Sequence, residues 1–351
     1  MNMINWFLKD LNKIKKNNKT VFSCFCCGGG STMGYKLAGY TSLGGLEIDP
    51  KMANVYKTNH KPKYFYELDI RDFIKLKNIP DELYNLDILD GSPPCSVFSM
   101  ASTKKQEFWG KEKKFKEGQK KQRLDDLFFD FLDVANKLKP KVIIAENVKG
   151  LIMGKTKIFA RKIIKKFQEI DYDVQVFLLN AKFMEVPQAR ERVFFIGIRK
   201  DISLNLKNKD LSCSKLLLNF NNKIINIGDA INDLPNDGPL LNKTTKLYHC
   251  WLNTFAGKTL DQGYKKLYNK ANYFSYKKIN RNQPSSTITA ATNSILDDSE
   301  PRFLHKKQIS RLQTFPDDFN FCNMSEYYIC GMSVPPMMIK NIAIEINKQL
   351  L

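Results

Sequence analysis

The chain has 351 residues, enough for one large α/β domain and a smaller module, and 43% hydrophobic with 12% aromatic residues suits a packed core rather than a disordered chain. No apolar run approaches ~18 residues, and the N-terminal stretch lacks an apolar core followed by small residues, so neither a membrane span nor a secretory signal is expected. Lys and Arg outnumber Asp and Glu by 56 to 36, a formal charge of +20 that makes nucleic acid the first partner to consider, although abundant Lys, Asn and Ile also fit passenger charge from an A/T-rich genome.

Taken in chain order, Val21 to Phe25 reads as a strand, Gly28-Gly29-Gly30 as a turn and Met33 to Ala38 as a helix. Leu43 to Ile48 is a second strand that delivers Glu47 and Asp49. Leu86 to Leu89 is another, followed at once by Gly91-Ser92-Pro93-Pro94-Cys95. Residues 109–121 are charged and contain glycines, the composition of a mobile loop. Leu124 to Leu138 has helical spacing, and Lys141 to Ala145 is a buried-strand run that ends in Glu146-Asn147. Asp173 to Leu179 and Val193 to Ile198 complete the strands. Strands alternating with helices imply a mostly parallel, doubly wound sheet, in which ligands gather beyond the carboxyl ends of the strands. From about Asp201 to Lys278 that rhythm weakens, which reads as a smaller domain, and Lys340 to Leu351 has helical spacing suited to packing back on the main domain.

The eight cysteines form no regular disulfide framework, as expected of thiols in a reducing compartment. Cys24 and Cys27 make a CxxC, but no second pair or nearby histidine completes a zinc set, so no metal is expected. A cytoplasmic, nucleoid-associated location follows from these readings.

Four constellations carry chemistry. The glycine turn after the first strand lets a ligand approach the backbone, and an acid after the next strand accepts ribose hydroxyls. That pattern fits NAD, FAD and S-adenosylmethionine equally, and the absence of GxGxxG weakens the dinucleotide reading. Asp69 follows another strand-like run, where it fits an adenine contact or a simple cap. Two prolines leaving a strand place Cys95 on a stiff backbone, a position suited to attack rather than packing. Glu146 at an apolar strand end is expected to hold its proton more tightly and to act as a proton donor, or else to cap a helix or serve as a salt-bridge partner. Arg190 and Arg192, two apart beside a strand start, should share a face and grip a base oxygen, a phosphate or a carboxylate.

In this order the segments FCCGGG, EID, GSPPCSVFS, ENV and QARER resemble the DNA cytosine-5 methyltransferase family, as do RNQPSSTITA, RLQTFPDDFNF and GMSVPP further on. The resemblance covers roughly residues 21–200 and 280–340. It implies a Rossmann-like S-adenosylmethionine-dependent methyltransferase domain at 1–199 and 304–351, with a target-recognition domain at 200–303. It implies S-adenosyl-L-methionine contacts at Phe25, Gly28, Gly29, Gly30, Glu47, Ile48, Asp69, Ile70, Ser92, Pro93 and Ser333. By the same resemblance Cys95 is the nucleophile at cytosine carbon 6, Glu146 donates to ring N3 and Asn147 supports the loop. Arg192 contacts the base O2, with Arg190 beside it. The implied partner is double-stranded DNA with the target cytosine flipped out, and a cognate restriction endonuclease and a monomeric state are further expectations. Departures are Cys27 for the usual Gly, Ser23 for the leading Asp, Ser96 for Gln, Met332 for Asn and Gln308 for an acid. Competing readings are an RNA cytosine-5 methyltransferase of the same architecture and a non-catalytic DNA-binding regulator. Intact Cys95 argues against the second, and the long variable segment favours DNA over RNA. The target sequence is not readable.

Overall fold

Thr20–Cys24 (β1), Thr41–Leu46 (β2), Tyr64–Tyr66 (β3), Ile88–Gly91 (β4), Val142–Val148 (β5), Tyr172–Asn180 (β6) and Glu191–Arg199 (β8) build one sheet in the order β3-β2-β1-β4-β5-β8-β6, while the short strand Gln188–Ala189 (β7) pairs instead with Ser285–Ser286. The computed structural model describes residues 5–94, 126–203, 215–290 and 293–351; Cys95, Ser96 and the expected loop at 109–121 lie outside the described residues. Neighbouring strands from β3 through β5 pair in parallel, and β8 joins β5 antiparallel. The central strands read as near-continuous apolar runs because helices cover both faces. One face packs Phe22, Leu89, Ile143 and Ala145 against Phe131 and Leu132 of Leu127–Leu138 and Ile163 of Lys157–Glu169. Contact there is close enough that a Cβ on Gly91 would lie 2.5 Å from the Phe131 ring, so the strand entering the proline pair has no room for a side chain.

The fifth strand is longer than its apolar run suggests. It was expected to stop at Ala145, but it continues to Val148 because β8 pairs with it from Val142↔Ile198 to Val148↔Arg192. Glu146 and Asn147 therefore sit inside a ladder, not beyond one.

Chain contacts divide the molecule into two compact units. The sheet unit holds Leu11–Leu179, Glu191–Asn219 and Ile339–Leu351; within it the C-terminal helix returns to the core, where Tyr40 Oη donates to the Ala343 carbonyl at 3.1 Å. The other unit holds Met1–Asp10, Asn180–Arg190 and Phe220–Met338. Within this unit 304–338 groups with 220–303. Buried Arg311 ties the two stretches together, and Arg281 braces the first of them. Arg311 donates to the Ala230 carbonyl, to Asp233 and, bidentately, to Asp317 at 3.0 and 2.6 Å. Arg281, the first residue of RNQPSST, spans Asn232, Asp297 and Asp298. Gln308 also has a role: its neutral amide oxygen accepts from His305 N at 2.8 Å, closing a capping box at Lys306–Leu312.

Trp6 is fully buried in this unit, its indole N–H donating to the Thr314 carbonyl at 3.1 Å while Asp317 N donates to Trp6 O at 2.9 Å. Trp6→Ala should destabilise the chain by about 3–5 kcal/mol through cavity formation, read as a lower urea midpoint. Among the described residues no helix is long and apolar enough to cross a membrane.

Candidate active site and cofactor cleft

The loop between β1 and the helix Gly30–Leu37 (α1) takes left-handed backbone three times, at Phe25 (φ 53°), Cys27 (φ 47°) and Gly29 (φ 86°). An L-residue in that region costs about 1–2 kcal/mol, which explains why glycine is usual where Cys27 stands. Glu47 holds the strained loop: Oε2 accepts from Cys27 N at 2.9 Å, and Oε1 from Ile48 N and Asp49 N at 2.9 and 3.0 Å. Burial raises the Glu47 pKa, while those amides pull it back. Each carboxylate oxygen has two acceptor positions, so Oε2 can accept a second hydrogen bond beside that from Cys27 N. Asp49 ends the same strand and caps the helix Pro50–His60 (α2), accepting from Lys51 N at 2.8 Å.

Five of the expected cofactor residues, Phe25, Glu47, Ile48, Asp69 and Ile70, line one cleft together with Leu46, Leu68 and Leu127. Apolar walls with two carboxylates, Glu47 and Asp69, suit the chemistry of an adenosine, which offers two flat faces, an amino group and ribose hydroxyls. Asp69 also does what the cap reading anticipated, accepting from Arg71 N at 2.8 Å as N-cap of Ile70–Lys75. Leu127 gave no signal in the sequence, because only tertiary packing brings that helix start to the strand ends. Cys24 and Cys26 are buried, and burial pushes both thiols upward, which suits them to packing rather than to metal or redox chemistry.

At the end of β4, Asn147 Nδ2 donates to the Pro93 carbonyl at 3.2 Å, and its Oδ1 accepts from Val148 N. Asn147 thus grips the backbone that runs from Ser92 and Pro93 toward Cys95. Across the β5–β8 ladder, Arg192 Nε meets Glu146 Oε1 at 3.0 Å, with side chains only 14% and 10% exposed. Burial lowers the Arg192 pKa and Glu146 opposes that shift. Arg190 does not continue the strand, since it falls between Gln188–Ala189 and Glu191–Arg199, so strand alternation with Arg192 does not apply. Its terminal nitrogens go to the Ile288 and Gly331 carbonyls at 3.0 and 3.1 Å, inside the other unit. Ser333, in that unit too, is buried, and its Oγ has no hydrogen-bond partner among the described residues.

Sequence reasoning passed over Asp90, whose signal was an acid inside an apolar strand. It is 4% exposed and accepts from Tyr35 Oη at 3.1 Å. Burial pushes it up to about 7, with the Tyr35, Ser23 and Ser31 hydroxyls opposing and the Glu146 charge adding to the rise. An ordinary aspartate ionises near pH 4, so between about pH 4 and pH 7 the folded chain binds the extra proton and loses stability as pH rises. Asp90→Asn should flatten thermal stability across that window, measured by calorimetry in matched buffers.

The sheet order, the antiparallel strand beside β5 and a cleft at the strand ends define a Rossmann-like α/β domain. Residues 19–348 match the family described as C-5 cytosine-specific DNA methylase, and the chain belongs to that family. It is 28% identical to the type II methyltransferase M.NgoFVII of Neisseria gonorrhoeae, covering 97% of this chain and 89% of that protein. It is 32% identical to the type II methyltransferase M.FnuDI of Fusobacterium nucleatum over 53% of this chain, a match spanning only 48% of the relative. A solved structure of a candidate DNA modification methyltransferase from an E. coli prophage superposes with a TM-score of 0.69 at 20% identity, covering 95% of this chain and 99% of that one. That likeness shows the fold.

Proposed function

We propose that the chain methylates carbon 5 of a flipped cytosine at a specific sequence in duplex DNA, through a transient bond from Cys95 to carbon 6. Bound S-adenosyl-L-methionine supplies the methyl group as a sulfonium electrophile. The Cys95 thiolate attacks carbon 6 and breaks the aromaticity of the ring, so carbon 5 becomes nucleophilic. Glu146 donates a proton to N3 and stabilises the charge that develops there. Arg192, held beside Glu146, contacts the base O2, and Asn147 keeps the Ser92-Pro93 backbone in place. After carbon 5 has been methylated it loses its proton to water, and Cys95 departs. A stacked base offers no route to this attack, so the cytosine is extruded. Phe25, Gly28, Gly29, Gly30, Glu47, Ile48, Asp69, Ile70, Ser92, Pro93 and Ser333 are assigned to the cofactor.

Residues 200–303 are assigned to target recognition through groove contacts, and a cognate restriction endonuclease, a monomeric state and a cytoplasmic location complete the reading. The observation that carries it is the buried Glu146–Arg192 pair, one strand over from the segment that leads to Cys95. Bisulfite sequencing of host DNA after expression should show protected cytosines in one short motif. Purified protein should form a covalent adduct with duplex DNA bearing 5-fluorocytosine in that motif, and Cys95→Ser should abolish it. Methylation of transfer RNA with duplex DNA untouched would replace this reading with the RNA one, and DNA binding without methylation would favour the regulator.

A further inference from the structure

A buried histidine lies beneath the glycine turn. His60 ends α2 and is 6% exposed. Its Nε2 stands 3.3 Å from the Gly28 carbonyl oxygen, and a Cβ on Gly29 would come within 2.0 Å of that nitrogen. From α1, Lys36 Nζ reaches His60 Nδ1 at 3.5 Å and the His60 carbonyl at 3.1 Å. Tyr56 packs on the ring at 4.7 Å, with its own hydroxyl 3.0 Å from Thr32 Oγ1. Burial first, and then the Lys36 charge, hold the imidazole well below its ordinary range, so it is neutral. A carbonyl can only accept and an ammonium can only donate. Both neighbours are satisfied by one tautomer alone, with hydrogen on Nε2 and a lone pair on Nδ1.

We propose that His60 is a positioning residue for the cofactor loop, its Nε2–H holding the Gly28 carbonyl while Lys36 fixes the tautomer that can do so. The proposal rests on the reading of residues 25–30 as that loop. Glu47 takes the Cys27 amide and His60 takes the next carbonyl, so a two-residue stretch is held from both of its polar sides. Left-handed residues flank that carbonyl at Cys27 and Gly29. Strained backbone of this kind persists only when surrounding contacts determine it. Without His60 the turn relaxes before cofactor binds, and affinity falls by the cost of restoring it.

The test is calorimetric binding of S-adenosylhomocysteine to the full chain, alongside steady-state kinetics with S-adenosylmethionine. His60→Leu should raise the dissociation constant and the cofactor KM about 3- to 10-fold, the worth of one buried hydrogen bond. Turnover at saturating cofactor should stay within about twofold, because the loss is in binding. His60→Gln puts an amide donor where Nε2–H was and should restore near-native affinity, whereas His60→Asn, whose donor falls short, should not. Because the chain has three histidines, the ¹⁵N resonances of His60 can be assigned by substitution, and they should report the Nε2–H tautomer. Lys36→Met should weaken that preference and raise the dissociation constant in the same direction.

An Nδ1–H tautomer in the native protein, or equal affinities for the Gln and Asn variants, would overturn the proposal. If His60→Leu does not fold, the Gln and Asn comparison and the spectrum carry the decision. A wild-type chain that binds neither cofactor form would overturn the loop reading itself, and the proposal with it, while the tautomer would still report the contact with Gly28.

Discussion

Glu146→Gln should leave the fold and DNA affinity nearly intact while lowering methyl transfer about 10²- to 10⁴-fold, the usual loss on removing a general acid. The amide keeps the shape of the side chain and an oxygen for Arg192 Nε, now 3.0 Å from the carboxylate. What it cannot do is deliver the proton that the proposed step brings to N3. Arg192 reports on the same unit from the other side. A guanidinium offers a planar fork that can hold a carboxylate and a base oxygen together, and an ammonium does not. Arg192→Lys should therefore also lose most activity, and because both groups act as a pair the double variant should be little worse than either single one. The readout is tritiated methyl transfer to duplex DNA at saturating cofactor, with circular dichroism as the check on folding. A Glu146→Gln enzyme within twofold of wild type would remove Glu146 from the chemistry, since about 1.4 kcal/mol already corresponds to a tenfold change.

Arg311→Ala should cost about 1.5–3 kcal/mol of stability, the worth of charged hydrogen bonds lost from a buried side chain whose carboxylate partners, Asp233 and Asp317, keep access to water. Its side chain is 4% exposed and serves three partners from two separate stretches of chain, Asp317 on one and Asp233 with the Ala230 carbonyl on the other. The two carboxylates raise its pKa against the burial that lowers it. Arg311→Lys should recover only part of the loss, because a single ammonium cannot reproduce the bidentate contact with Asp317 at 3.0 and 2.6 Å while also reaching Asp233. A lower urea midpoint with an unchanged slope would show that stability alone has moved. A lysine variant as stable as wild type would assign the stabilisation to simple charge balance.

Much of this molecule can be read without coordinates, and for a physical reason. Apolar strands buried on both faces, glycines at left-handed turns and a strand-to-loop proline pair are local consequences of backbone sterics and burial, so they leave marks in the order of residues. That is why the sheet, the family, Glu47 beside the glycine turn and the ENV and QARER segments were legible. The ladder was not: β5 runs to Val148 only because β8, more than forty residues later in the chain, lies antiparallel to it. The same packing pairs Glu146 with Arg192, sends Arg190 to two backbone carbonyls and brings Leu127 to the cofactor cleft. The burial that pushes Asp90 up to about 7 and keeps His60 neutral comes from the same source. Chemical identity at each position was written in the sequence, whereas partners and protonation were decided by which distant surfaces exclude water from them.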